Sequence, residues 1–160
     1  ANPNELEALG CLAPTQKEAG YFERCLAEQN DGKRLILIAA QDGTDVGYGM
    51  LNWSPQYTLY RKLGSPEIQD LNVISVARRS GVATTLVRYC EKLALDKGCS
   101  MMGISVGLTA DYGAAQRLYI KLGYAPDGYG VTYDRLTVRH GEMRPIDDNL
   151  ALMLVKELQA

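Results

Sequence analysis

In Leu71-Asn72-Val73-Ile74-Ser75-Val76-Ala77-Arg78-Arg79-Ser80-Gly81-Val82-Ala83-Thr84 a strand-like pattern gives way to a helical one across a single turn. The first half of the stretch is apolar and β-branched, and Ile68 to Val76 reads as a strand. From Val82 the apolar period changes: Val82, Leu86, Cys90 and Leu93, with Val87 and Ala94 beside them, recur at helical spacing until Gly98. Between strand and helix lies a turn with two arginines and one glycine. The first turn of a helix carries amide N–H groups without partners and the positive end of the helix dipole, which together suit a phosphate. Gly81 and Ala83 leave the backbone approachable, Arg78 and Arg79 add charge, and Ser80 and Thr84 offer hydroxyls. An ordinary tight turn is the competing explanation, because strand-turn-helix junctions with one glycine are common.

Upstream, Thr15-Gln16-Lys17-Glu18 has the form of a capping box, and Ala19, Phe22, Cys25, Leu26 and Gln29 make one apolar stripe, which predicts a helix to about Gln29. Asn30-Asp31-Gly32 stops it. Leu35 to Ala40 is a buried strand, joined through Gln41-Asp42-Gly43-Thr44 to a second strand, Val46 to Trp53, as a hairpin. Residues 54–66, with Pro55, Gly64 and Pro66 around Tyr57 and Tyr60, predict a surface loop bearing aromatic side chains. Downstream, Met101 to Val106 is a strand, and Ala115, Leu118, Tyr119 and Leu122 mark a short helix capped by Asp111 and ended by Gly123. Tyr129 to Val138 reads as one strand. Leu150 to Val155 suits a helix by propensity and a strand by its apolarity on all sides. With no repeats, low-complexity tracts or linkers, the pattern is one α/β domain over residues 1–160.

In a chain of 160 residues, 46% apolar, there is enough material for one sizeable core. The charges nearly balance, giving a net −2, and no run of Lys or Arg exceeds a pair. That argues against a nucleic-acid or membrane-surface partner and for a small molecule. The apolar runs are strand-sized and no basic-then-apolar signal precedes Asn2, so a cytoplasmic protein is expected. Cys11, Cys25, Cys90 and Cys99 show no C-x-x-C spacing and His140 is far from all of them, so no metal site is expected. Cys25 and Cys90 fall on apolar helix faces, as small buried hydrophobes do. His140, beside Gly141, belongs to an exposed turn and takes no role.

The second informative stretch is Ala115-Gln116-Arg117-Leu118-Tyr119-Ile120-Lys121-Leu122-Gly123-Tyr124. With the first it resembles the GNAT superfamily of N-acetyltransferases, whose signature is Q/R-x-x-G-x-G/A at a strand-to-helix turn, followed some thirty to forty residues later by A-x-x-L-Y-x-K-x-G-F/Y. Arg78, Gly81 and Ala83 fill the first pattern; Ala115, Leu118, Tyr119, Lys121, Gly123 and Tyr124 fill the second. Leu71-Asn72-Val73 stands where the family has L-x-V. The resemblance runs from about Glu67 to Tyr124, and Gly107 to Gly113 with Pro126-Asp127-Gly128 looks like a bacterial branch of small acetyltransferases. Two features depart from the family: Tyr112 stands where an Asn is frequent, and no strand is legible before Thr15.

The resemblance implies a single-domain fold with a mixed central sheet of about six to seven strands, helices on both faces, and a splayed pair of parallel strands holding the cofactor. On that ground Asn149 to Val155 is taken as a strand. It implies acetyl-CoA as co-substrate, no metal, and direct attack by an amine in a ternary complex. Cofactor contacts fall to Leu71, Val73, Arg78, Arg79, Ser80, Gly81, Val82, Ala83, Thr84, Tyr112, Ala115 and Tyr119. The backbone N–H of Val73 is the oxyanion donor and Tyr119 the acid for the departing sulfur. For the base, Glu67 and Asp70 are both candidates; strand alternation turns them to opposite faces, and a water chain or no dedicated base is an equal alternative. Trp53, Tyr57, Tyr60 and Tyr133 either wall the acceptor pocket or pack in the core. The acceptor is expected to be a small amine, with a protein amino terminus or lysine as alternative. A different class, an acyl-CoA-binding regulatory module without turnover, is disfavoured by the presence of Tyr119. A homodimer is compatible with the family.

Overall fold

The computed structural model describes residues 1–14 and 17–159. Helices α1 (Leu6–Leu12) and α2 (Tyr21–Asn30) precede the hairpin β1 (Arg34–Gln41) and β2 (Thr44–Asn52), followed by α3 (Thr58–Lys62) and β3 (Glu67–Val73). Then come α4 (Val82–Asp96), β4 (Met101–Gly107), α5 (Gly113–Lys121), β5 (Ala125–Tyr133), the short β6 (Leu136–Thr137) and β7 (Leu150–Glu157). The class is α/β, with seven strands among the described residues. Backbone packing divides the chain into two compact units: residues 1–54 with 68–93, and 55–67 with 94–160.

In the first unit β1, β2 and β3 lie side by side in that order. β1 and β2 pair antiparallel from Arg34↔Asn52 to Gln41↔Thr44, with an irregularity between Ala39 and Ala40. Alternation sends Ile36, Tyr48 and Met50 to the face where Leu9, Leu12, Phe22, Cys25 and Leu26 of the two helices bury. The stripe predicted for the second helix is therefore real, but the helix begins later. Gly20, at φ +76°, turns the chain immediately before Tyr21, and Lys17 and Glu18 are not helical. The capping box itself falls on Thr15 and Gln16, outside the described residues. Ahead of it the described chain forms a helix, α1, rather than a strand.

The second unit orders its strands β4-β7-β5-β6, all antiparallel neighbours. β7 confirms the extended alternative for the final apolar run: it pairs with β4 from Met101↔Glu157 to Gly107↔Ala151 and with β5 on its other side. Two expectations fail here. Residues 54–66 are not a surface loop of aromatics, because α3 forms there and sinks Tyr57 and Tyr60 against Met153, with Tyr60 fully buried. Tyr60 stays buried because its hydroxyl donates to the carbonyls of Ile104 and Leu154, at 3.2 and 2.6 Å. Nor is Tyr129 to Val138 one strand. Asp134 and Arg135 adopt left-handed φ of 49° and 62° and fold the segment into a tight hairpin. No helix among the described residues is long and apolar enough to cross a membrane.

Candidate active site

The turn before α4 has the geometry an anion needs. Arg79 and Gly81 both take left-handed φ, 64° and 85°, while Ser80 between them does not. Such alternation turns successive N–H groups to one side and makes a shallow anion-binding concavity. The first helical hydrogen bond runs from Thr85 N–H to the Gly81 carbonyl, so the amides of Val82, Ala83 and Thr84 lack acceptors within the helix. A Cβ at Gly81 would meet nothing within 4 Å, which means that the backbone there faces open space. Ser80 Oγ donates to Ala77 O at 2.5 Å and stiffens the turn, and Arg78 Nε donates to Val73 O at 3.2 Å, tying the turn to the end of β3. Leu71 and Val73 are half-buried. Beside the turn a groove of about 370 Å³ opens between Ile38 to Gln41 and Val82, Thr85 and Tyr89. The larger cavity, about 730 Å³ around Arg139, His140 and Arg144, is lined by none of the motif residues.

Asp70 is the centre of a second cluster in the same unit. Its Oδ1 accepts from Lys17 Nζ and from Asn72 Nδ2, both at 2.9 Å; its Oδ2 accepts from the hydroxyls of Tyr48 at 2.9 Å and Tyr21 at 3.1 Å. Burial, and then the carboxylate, push both phenols well above the usual tyrosine range, so they are fixed donors. The Asp70 backbone is itself left-handed, φ 50°, which breaks the simple alternation of β3. None of Lys17, Tyr21, Tyr48 and Asn72 was a site candidate from sequence. They lie up to 53 positions from Asp70, and no local pattern joins them.

The motif residues of the second unit occupy α5 and its approach. Tyr119 is the one buried residue of that helix, 6% exposed, and burial alone pushes its phenol above the usual range. Tyr57, Tyr60, Tyr112 and Tyr133 in this unit each donate to an oxygen. The Tyr119 hydroxyl has no hydrogen-bond partner among the described residues, and no fully enclosed side-chain oxygen there is left unsatisfied. Its ring is packed away, and its oxygen is not fully enclosed. Tyr112, the departure from the family's Asn, lies against β4: a Cβ on Gly107 would come within 2.4 Å of its ring, so only glycine fits beneath it. Its hydroxyl donates to Asp148 at 2.7 Å, and Gln116 Nε2 donates to Gly107 O at 2.8 Å. Asp111 makes no cap to α5; Tyr112 takes the cap position without a side-chain hydrogen bond. Ala115 is half-buried.

Glu67 and Asp70 meet different neighbours. Glu67, fully buried, accepts from Arg135 Nη2 at 2.8 Å and Nε at 3.4 Å. Arg135 was missed because it sits in the unpredicted hairpin turn. Tyr57 donates to Asp127 and Tyr133 to Asp147, and Arg144 lies over the Tyr133 ring, so these aromatics are spent on packing and polar contacts within their own unit. His140 is exposed in a turn. Cys25 and Cys90 are buried, with the Cys90 thiol pushed up to about 12 by burial. Among the described residues no group of His, Cys, Asp and Glu is placed to hold a metal ion.

Residues 6–124 match the family model described as the acetyltransferase (GNAT) family. The chain belongs to that family, an enzyme family of N-acetyltransferases. Similar solved structures include a ribosomal-protein-alanine N-acetyltransferase from Brucella melitensis, 19% identical, with a TM-score of 0.71 over 99% of this chain and 97% of that one. An aminoglycoside 6'-N-acetyltransferase complexed with coenzyme A is 20% identical, with a TM-score of 0.69 over 99% and 93%. An N-acetyltransferase from Staphylococcus aureus is 15% identical, with a TM-score of 0.72 over 99% and 96%. No curated protein matches the chain by sequence.

Proposed function

We propose that residues 1–160 form one acetyl-CoA-dependent N-acetyltransferase that acylates the primary amine of a small molecule by direct attack in a ternary complex. The observation that carries the reading is the unspent Tyr119 hydroxyl, on a side chain that is otherwise buried. A tyrosine kept for packing finds a partner for its hydroxyl, as Tyr60 does. The backbone amides of residues 79–84 hold the pyrophosphate, with Arg78 and Arg79 supplying charge, and Leu71 and Val73 line the pantetheine arm. Val73 N–H stabilises the developing oxyanion, and Tyr119 protonates the departing sulfur. Tyr112 and Ala115 complete the cofactor side. Of the two carboxylates, Asp70 is the better group beside the amine, since the buried oxygens of Glu67 are held by the half-buried guanidinium of Arg135.

The test is free-thiol release from acetyl-CoA over a panel of small amines, with peptides bearing a free amino terminus as the second arm. Saturable release with a small amine supports the reading; release with peptides alone moves the acceptor to protein; no release in a chain that binds CoA marks a module without turnover. A further expected result concerns the two arginines. Replacing Arg78 and Arg79 together by Gln weakens CoA binding more at low ionic strength than at high, because exposed charges act at long range only when unscreened. Calorimetry at two salt concentrations measures it, and equal losses at both would assign the pair to packing.

A further inference from the structure

We infer that Lys17 is a site of self-acetylation: its ammonium occupies the seat of the acceptor amine on Asp70 and is acylated within the same chain. The inference rests on the acetyltransferase reading above.

An ionised carboxylate offers about four acceptor positions. At Asp70 all four are taken: Tyr21 and Tyr48 hold Oδ2, and Asn72 and Lys17 hold Oδ1. Three of these donors are neutral and built into the fold, Tyr48 being fully buried. The fourth is a primary ammonium on a flexible stem, from a segment that is neither helix nor strand, and its side chain is 25% exposed against 13% for Asp70. Removing Lys17 leaves Asp70 oriented by three donors with one position open to a primary ammonium, so the geometry already defines what fits there. The ring of Tyr21 lies 5.2 Å from Nζ and adds a cation-π contact that would serve any alkylammonium in that place.

The seat also lies next to the proposed reaction centre. Lys17 Nζ and Asn72 Nδ2 donate to the same Asp70 oxygen, and Asn72 is the residue before Val73, whose N–H is the proposed oxyanion donor. An extended strand rises about 3.3 Å per residue and the attacking atom must come within about 3.5 Å of the carbonyl carbon, so acylation requires the lysine stem to rotate toward Val73. Nζ gives one proton to Asp70, its lone pair attacks the thioester carbon, a C–N bond forms and the C–S bond breaks. The sulfur leaves with the bonding pair and takes the second proton, giving Nε-acetyl-Lys17 and free thiol. The product has lost its charge, so the Lys17–Asp70 ion pair ends and the seat opens to an external amine.

The test uses the full chain incubated with acetyl-CoA, with peptide mapping by mass spectrometry over time. Lys33, 59% exposed and paired with exposed Asp31, reports ordinary chemical acetylation. The expected result is acetylation of Lys17 at least about a hundredfold faster than Lys33, at a rate independent of chain concentration, and slowed by Asp70→Asn. Lys17 left unmodified, modified no faster than Lys33, or modified faster as the chain is concentrated would each overturn the inference. CoA binding measured alongside by calorimetry separates the failures. Binding without Lys17 acetylation sinks this inference alone, and no binding sinks it together with the reading it rests on.

Discussion

Gly81→Asp abolishes useful CoA binding while the protein stays folded: affinity falls by about a hundredfold or more, and the thermal midpoint moves by roughly a few degrees at most. The large effect is electrostatic. The new carboxylate stands at the amides and dipole end that hold the pyrophosphate, where a negative ligand now meets a fixed negative charge. The small effect has two opposing parts. At φ +85° an aspartate costs on the order of 1 kcal/mol that glycine does not, but its Cβ enters open space and it stands where helices favour Asp. Calorimetry with CoA and a thermal melt measure both quantities. A folded variant that binds CoA as the wild type does would end the assignment of this turn to phosphate.

Tyr119→Phe gives the second large effect. Turnover falls about a hundredfold to ten-thousandfold, the usual range for a positioned general acid, while acetyl-CoA affinity changes little. Because the hydroxyl has no protein partner among the described residues, its removal breaks no internal hydrogen bond, and stability stays near the wild-type value. The pH profile adds a separate signature. The phenol donates only while protonated, so the wild-type rate falls as pH rises through its pKa. Burial raises that pKa above the ordinary tyrosine value near 10, which moves the alkaline limb upward. The Phe variant lacks the limb. Near-normal turnover with the limb intact would return Tyr119 to a structural role.

What could be read from the chain was whatever its near neighbours decide. The turn at 78–81 and the start of α4 at Val82 follow from a change of apolar period and one glycine within a dozen residues. The burial of Tyr119 followed from its place on a short stripe. The misreadings share a cause. The prolines and glycines of residues 54–66 signal turns correctly, but the burial of Tyr57 and Tyr60 depends on Met153 and on the carbonyls of Ile104 and Leu154, 44 and 94 positions from Tyr60. The break at Asp134-Arg135 escapes a reading by β-propensity because neither residue is a glycine, and a left-handed pair of this kind is held by the strands it joins.

The family, the order of strand, turn and helix, and the residue types at the two motifs were legible in the chain, since each is a local pattern of period, charge and glycine. It took the folded chain to show that the buried Tyr119 hydroxyl has no partner among the described residues, that Glu67 is held by Arg135, and that Lys17 reaches Asp70. Those are pairings between residues distant in the chain. Their free energy comes from burial and from satisfying one particular donor with one particular acceptor, and neither is encoded in the neighbourhood of either residue alone.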